Sequence, residues 1–232
     1  MRHVLVTGSS SGIGRAISEQ LLKSGHIVIG IARSHQKFCP SNENYKPIKV
    51  DLSDLSNLHN TLSKILLLYP SVDGLVSNAG FGKFGSIETF SINQISNFIN
   101  VNLVAHIAIT KFFLPHFKTQ KKGDIIFIGS ESSHVGARNG SLYAASKFGL
   151  RGFCQAIRDE SSGKNIRVSL VNPGMVRTAF FDDLKFKPGK NLENAINPED
   201  VANMVMSIFN SSPNIVIDEI NLSPLKKVIS FE

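Results

Sequence analysis

A chain of 232 residues with 42% hydrophobic side chains can bury a full core, and it needs neither disulfides nor a structural metal to fold. Its two cysteines, Cys39 and Cys154, stand far apart with no C-x-x-C spacing, which excludes a disulfide framework or a zinc site and fits a reducing, cytoplasmic setting. The formal charge of +7 is spread along the chain without an aromatic-interleaved basic motif, so a solvated basic exterior is expected and a nucleic-acid surface is not.

Met1-Arg2-His3 runs straight into Val4, leaving no room for the apolar core of a signal peptide. No uninterrupted apolar segment approaches the roughly 20 residues of a membrane helix, so no membrane partner is expected. Val4-Leu5-Val6 is a short strand that meets Gly8. From Gly12 the period turns helical through Ile13, Ile17, Leu21 and Leu22, stops at Gly25, and gives way to a second strand at Ile27 to Ile31. This is one βαβ unit. The alternation continues with a strand near Ile48-Val50, a helix over 55–68, a strand over 72–76 and a long helical region over 93–118. A strand over 124–128, a helix over 141–161, a strand over 166–171, a helix over 198–209 and a last strand over 215–217 complete it. Strands apolar throughout and separated by helices predict a parallel, doubly wound α/β sheet of about seven strands, covered on both faces, in a single domain over 1–232. The irregular stretch 179–200, where Pro188-Gly189 interrupts any period, is expected to be a substrate loop.

"TGSSSGIG", Thr7 to Gly14, lies between the first strand and the first helix, where helix N-terminal amides receive a dinucleotide pyrophosphate. Gly8, Gly12 and Gly14 let the backbone turn tightly and approach phosphates, and the three serines, Ser9, Ser10 and Ser11, are expected to add hydroxyl donors. An ordinary βα turn needs one glycine, not three. The second strand ends at Ala32-Arg33, with no acid to hold a ribose diol. A guanidinium there suits a 2′-phosphate, which predicts NADP(H) over NAD(H).

"YAASK" sets Tyr143 and Lys147 four residues apart, on one face of the predicted helix. An ammonium roughly 4 Å from a phenol, at an effective dielectric near 20, favours the phenolate by about 4 kcal/mol. That coupling is expected to draw the phenol toward neutrality by up to about three units. "YKPIK", Tyr45 to Lys49, has the same spacing, but Pro47 forbids a helix there and separates the pair.

Asp51-Leu52 follows the third strand, Asn78-Ala79-Gly80 the fourth, and Ser130 the fifth, thirteen residues before Tyr143. With "TGSSSGIG", Asn102, "YAASK" and "NPGMVRT", this pattern resembles the simple, single-domain branch of the short-chain dehydrogenase/reductase family over essentially the whole chain. The resemblance implies a Rossmann-type fold. Thr7, Gly8, Gly12 and Gly14, together with Ser10, Ser11 and Ile13 of the same turn, match the coenzyme-binding turn. Asp51 and the adjoining Leu52 match the adenine-binding position, and Asn78-Ala79-Gly80 the segment bordering the coenzyme. Pro173, Gly174, Val176 and Thr178 match the stretch that flanks the nicotinamide, and Asn102, Ser130, Tyr143 and Lys147 match the catalytic tetrad.

The resemblance further implies that Lys147 holds the nicotinamide ribose and that Asn102 holds a water linking Lys147 to solvent. In this reading hydride moves between the coenzyme and a carbonyl carbon, Ser130 holds the oxygen and Tyr143 exchanges the proton. The substrate is then a small carbonyl compound or alcohol. A homodimer or homotetramer is implied as well, and the long helices over 93–118 and 141–161, apolar on more than one face, agree. The ending "NIVIDEINLSPLKKVISFE" lacks the glycine-rich segment of ketoacyl reductases, so that substrate is not inherited. Two other readings stay open: a coenzyme-binding regulator without turnover, and an epimerase-like relative, whose turn spacing and larger sugar-nucleotide domain are missing here. Phe81, Phe84, Met175, Phe180 and Phe181 either wall a substrate pocket or simply pack. His134 has no acid beside it in sequence, and the seven histidines show no metal-ligand spacing.

Overall fold

The computed structural model describes residues 1–231. Short apolar strands and amphipathic helices alternate, and each strand pairs in parallel: β1 (His3–Thr7), β2 (Ile27–Ala32), β3 (Tyr45–Lys49), β4 (Gly74–Ser77), β5 (Gly123–Ile128), β6 (Ile166–Pro173) and β8 (Glu219–Leu222). The order across the sheet is β3-β2-β1-β4-β5-β6-β8. The chain runs outward to one edge, then returns to β1 and grows the other way. That places a crevice between the carboxyl ends of β1 and β4, where such sheets bind ligands. This is the doubly wound, Rossmann-type architecture.

The helices cover both faces because each buries one apolar stripe. On one face lie α2 (Leu55–Leu68), α4 (Ala105–Gln120) and α5 (Ser141–Ser161), which bring Leu58, Leu62, Phe113, Phe117, Leu150 and Ile157 onto the sheet. On the other lie α1 (Gly12–Lys23) and α6 (Pro198–Asn210), with Ile17, Leu21, Val201, Val205 and Phe209. Each fully buried side chain of this size contributes about 1.5–3 kcal/mol. Asn197 and Asp200 form a capping box that starts α6, with Pro198 as its first residue.

Three expectations change. The third strand starts earlier, at Tyr45, and includes Pro47; as the edge strand it loses no ladder bond that the sheet needs. Tyr45 and Lys49 are thus about 13 Å apart along an extended chain. The long helical region divides into α3 (Ile92–Ile99), one π turn (Asn100–Val104) and α4. This run, Ile92–Gln120, is also long and apolar enough to cross a membrane by length and composition. Its apolarity is spent on packing, since Phe98, Ile109, Phe113 and Phe117 are buried in the domain. Finally, residues 215–217 are irregular and the last sheet strand is β8, four residues further on. Inside the irregular stretch 179–200, β7 (Phe186–Pro188) pairs antiparallel with β9 (Ile229–Phe231) from the end of the chain.

At the opposite, amino end of the sheet, Arg2 bonds Asp73 and Asp124, Arg167 bonds Asp124, and Lys122 reaches Asp73 at 2.6 Å. Burial raises the Asp73 carboxyl, but the Lys122 and Arg2 charges outweigh it and hold the group below its ordinary value of 3.8. A depressed carboxylate stabilises above its unfolded pKa and loses that contribution as pH falls through the folded value. Asp73→Asn is therefore expected to cost about 1–3 kcal/mol at pH 7 and much less at pH 3; urea unfolding at the two pH values measures the difference.

Candidate active site

The glycine turn is built by close approach. Gly8 and Gly12 have φ of +67° and +50°, values that side chains with a Cβ rarely adopt. A Cβ on Gly14 would lie 2.2 Å from the Gly8 carbonyl oxygen and 2.5 Å from Asn78 Nδ2. Ser11 stands at the N-cap of α1 without capping it through its side chain, so the first-turn amides face the space before the helix, as an anion requires. Ser10 flanks that space half-buried, while Ile13 turns back into the core beneath α1. Thr178 seals the outer side, its Cγ2 standing 3.2 Å from where a Gly12 Cβ would be. The cradle suits a dinucleotide pyrophosphate.

Thr7 knits this turn to the next strand end. Its hydroxyl oxygen accepts from the amides of Asn78 and Ala79, both at 2.9 Å, and its carbonyl accepts from Asn78 Nδ2 at 2.9 Å. Behind Ala79 lies His106, which sequence reasoning missed. Burial, assisted by the Lys147 charge, draws its imidazole down to about 3, so the ring is neutral. Its Nε2–H donates to the Ala79 carbonyl at 2.8 Å while Nδ1 accepts from the Ser77 hydroxyl at 2.6 Å. Gly80 has room only for hydrogen, since a Cβ would lie 2.6 Å from Asn102 Oδ1.

At the outer end of the crevice, Arg33 is exposed just past β2. Asp51 is exposed just past β3, and Leu52 beside it is buried. Asp51 Oδ1 accepts from the amide and the hydroxyl of Ser53, at 2.9 and 2.8 Å, and these bonds hold the carboxyl below its ordinary range. On the other side, Pro173 ends β6, Gly174 donates its amide to Leu222, and Val176 is buried against Ile196.

The tetrad residues converge between β5 and α5. Asn102 sits in the π turn, a backbone irregularity frequent at functional sites. It is fully buried, its Oδ1 accepting from the Phe81 amide at 3.1 Å and its Nδ2 donating to the Phe98 carbonyl at 3.1 Å. Its side chain thus ties the Gly80-Phe81 backbone to the helix turn of Phe98. Ser130 follows β5; its hydroxyl oxygen accepts from the Ser132 amide at 3.2 Å, and the hydroxyl acts on the Tyr143 phenol in the direction of the phenolate. Lys147 is buried one turn beyond Tyr143, its ammonium donating to the Ile128 carbonyl at 3.0 Å and lying 5.9 Å from the tyrosine ring centre.

The expected electrostatics need correction here. Burial pushes the Tyr143 phenol up to about 12, against the Ser130 hydrogen bond, which favours the phenolate. Burial likewise draws Lys147 down to about 8. Loss of hydration is the largest influence on both groups, and the ammonium spends a hydrogen bond on the Ile128 carbonyl.

Phenylalanines account for that burial. Phe84 and Phe180 cover the Tyr143 ring at 5.2 and 5.8 Å between centres, Phe98 lies at 6.4 Å, and Phe186 backs Phe84 at 4.9 Å. Phe81 packs on Phe98, and Phe181 on Phe180 and Phe186, whereas Met175 is buried outside this cluster. Phe98 and Phe186 were not singled out from sequence, although they lie four residues before Asn102 and eight after Thr178, because an apolar ring in a helix or an irregular stretch reads as ordinary packing. His134 does have an acid: its Nε2 lies 2.8 Å from Glu219 Oε1, contributed by the strand that sequence reasoning misplaced.

A glycine turn at the end of β1, a buried serine–tyrosine pair and a lysine one turn on now stand around one crevice. The family model for short chain dehydrogenases matches residues 2–188. The chain belongs to the short-chain dehydrogenase family. It is 28% identical to an NADP-dependent 3-hydroxy acid dehydrogenase of Schizosaccharomyces pombe, over 95% of this chain and 92% of that protein. It is 32% identical to a 3-ketodihydrosphingosine reductase of Bacteroides thetaiotaomicron, over 78% of this chain and 66% of that one. Among solved structures, an alcohol dehydrogenase from Thermococcus sibiricus, complexed with 5-hydroxy-NADP, superposes with a TM-score of 0.85 at 26% identity, over 98% of this chain and 99% of that one.

The short-chain dehydrogenase turn has a direct test. Gly14→Ala forces Gly8 and Asn78 apart, an overpacking cost of about 1–3 kcal/mol. At about 2–4 °C per kcal/mol for a chain of this size, the melting midpoint should fall by several degrees, and scanning fluorimetry should lose the upward shift that added NADPH gives the parent.

Proposed function

We propose that this chain is an NADP(H)-dependent oxidoreductase that interconverts a carbonyl compound and an alcohol, with Tyr143 as general acid and base. The observation that carries the reading is the convergence of three buried side chains, Ser130 at the end of β5 and Tyr143 and Lys147 one helical turn apart on α5. The coenzyme, when bound, supplies or accepts the hydride. The Gly8, Gly12 and Gly14 turn, with Thr178, holds its pyrophosphate; Asp51 and Leu52 border its adenine; Ala79, Gly80, Pro173, Gly174 and Val176 border its nicotinamide half; Lys147 holds the adjoining ribose. Ser130 donates to the substrate oxygen as negative charge develops there, and Tyr143 delivers the proton. Asn102 at the π turn holds the water that reconnects Lys147 with solvent.

The Ala32-Arg33 strand end supports NADP(H) over NAD(H), as do the NADP-linked relatives. The phenylalanine cluster supports a substrate whose flank beside the carbonyl is apolar. Two free cysteines, Cys39 and Cys154, fit a cytoplasmic enzyme. The shallow groove of about 300 Å³ between α4 and α5, with Ile107, Leu114, Phe153 and Ile157 on its walls, supports pairing of two copies through these helices.

With its phenol up at about 12, Tyr143 is protonated at neutral pH and ready for reduction, whereas alcohol oxidation needs the phenolate. The kcat for oxidation should therefore climb from pH 7 toward pH 10 by close to tenfold per unit, and the kcat for reduction should stay level until the alkaline limb. Tyr143→Phe, folded and binding NADPH, should lose about 10²–10⁴-fold in kcat. A panel of aldehydes, diketones and aryl ketones followed by NADPH absorbance tests this; tight coenzyme binding without turnover on any of them would favour a regulator instead.

The coenzyme preference separates in a second experiment. Arg33→Ala should weaken NADPH by about 1.5–3 kcal/mol, the worth of a charge-assisted bond, and leave NADH nearly unchanged. Equal losses in titrations with the two would remove the 2′-phosphate role.

A further inference from the structure

We infer that Asn172 is a positioning residue for Ser130, the end of a polar chain that runs from Arg151 through Glu219 to the serine's own backbone. Asn172 lies near the end of β6, is 1% exposed, and spends every polar group it has. Its Oδ1 accepts from the Ser130 amide at 3.2 Å and from the Ser133 hydroxyl at 3.0 Å. Its Nδ2 donates to Glu219 Oε1 at 2.7 Å and to Asn221 Oδ1 at 3.1 Å, with His134 Nε2 at 3.3 Å. The Glu219 carboxylate is in turn gripped by Arg151 Nε, 3.2 Å from each oxygen, and lies 2.8 Å from His134 Nε2. The amide sits directly beneath the peptide before the serine: a Cβ on Gly129 would fall 2.1 Å from Asn172 Oδ1.

Only an amide fits this place in one orientation. Its acceptor faces two donors and its donor faces a carboxylate; turned over, it would set N–H against N–H and oxygen against oxygen. An isosteric carboxylate would oppose Glu219, and an apolar residue would leave the Ser130 amide unpaired in the interior, while the Ser133 hydroxyl would keep only its 2.7 Å bond to the Ser130 carbonyl. A buried asparagine that merely satisfied its neighbours would explain this much. The further step comes from where the chain begins. Arg151 lies one helical turn past Lys147 on α5, so the polar chain ties the strand end carrying Ser130 to the helix carrying Tyr143. Asn172 thereby sets the separation of the two hydroxyls that act on substrate oxygen. This inference rests on the reading of Ser130 and Tyr143 as the acting pair.

The test uses the full chain labelled with [13Cζ]tyrosine, with and without NADP+. There are three tyrosines, and Tyr143→Phe assigns the resonance. Asn172→Asp is expected to move the Tyr143 Cζ resonance from its parental position toward that of Ser130→Ala. It should also lower kcat for 4-nitrobenzaldehyde by about tenfold or more, the effect of a small misplacement, with the KM for NADPH within about twofold of the parent. Adding Glu219→Gln lets the introduced amide donate to the introduced carboxylate, and should return the resonance and most of kcat. A parental resonance in folded Asn172→Asp overturns the inference, as does a double variant that regains its melting midpoint but not the resonance. Where turnover of this aldehyde is too slow to follow, the resonance decides. If Ser130→Ala keeps parental kcat, the proposed function fails on its own, whatever the resonance shows.

Discussion

The structure turns on the removal of one phenol and one ammonium from water. Tyr143 and Lys147 are both buried, and burial moves each toward its neutral form, the phenol up to about 12 and the lysine down to about 8. Simple attraction across a helical turn would do the opposite to the tyrosine. For the phenol, loss of hydration is the larger effect, and the ammonium's own bond goes to the Ile128 carbonyl. Ser130 is the group that favours the phenolate. The site is thus made by desolvation first and by the nearby Ser130 hydroxyl second, which is the order expected where the local dielectric is low.

Desolvation on this scale needs surroundings that do not shift, and the sheet supplies them from three sides. Thr7 fastens the Asn78-Ala79 backbone to β1 from the front, and neutral His106 fastens Ala79 from behind. Asn102 clamps Phe81 to the π turn below. Gly14 and Gly80 carry no side chain because neighbouring polar atoms already stand where a Cβ would go. These contacts are local and buried, so a displacement of one strand end is felt by the next. The same rigidity explains why residues from six strand ends, β1 to β6, share one crevice.

Most of this was legible in the sequence. The strands β1, β2, β4, β5 and β6 and every helix but the broken one announce themselves by apolar runs and helical period, and the glycine turn by its spacing. What stayed hidden has a common physical cause. The last sheet strand was placed on the apolar run at 215–217, yet the chain pairs Glu219–Leu222 instead. Two of those four side chains, Glu219 and Asn221, are polar because they face Asn172, Arg151 and His134, so the strand does not read as one. Likewise the π turn around Asn102 carries the composition of an uninterrupted helix. Pattern rules report the average demand of a fold, and a segment recruited for specific polar bonds departs from them.

The cover over Tyr143 is held differently from the floor beneath it. Phe180 and Phe186 belong to the irregular stretch after β6, which is fastened by the three-residue β7–β9 ribbon, by Lys226 to Glu193, and by Lys227 to Glu131, the residue next to Ser130. Those ion pairs are half or more exposed on the lysine side, and such pairs contribute little, in the range of about 0–1 kcal/mol. Aromatic contacts add about 0.5–1.5 kcal/mol each beyond burial. The floor, in contrast, loses a buried or part-buried hydrogen bond wherever it moves. Thermal opening therefore concentrates in the phenylalanine cover, the low-stability end of an otherwise rigid domain. A carbonyl compound that separates Phe180 from Tyr143 has only weak contacts to displace, and if its own flank is apolar it replaces the desolvation it removes. The proton chemistry of Tyr143 and the apolar character of the cover are, on this argument, one requirement seen from two sides.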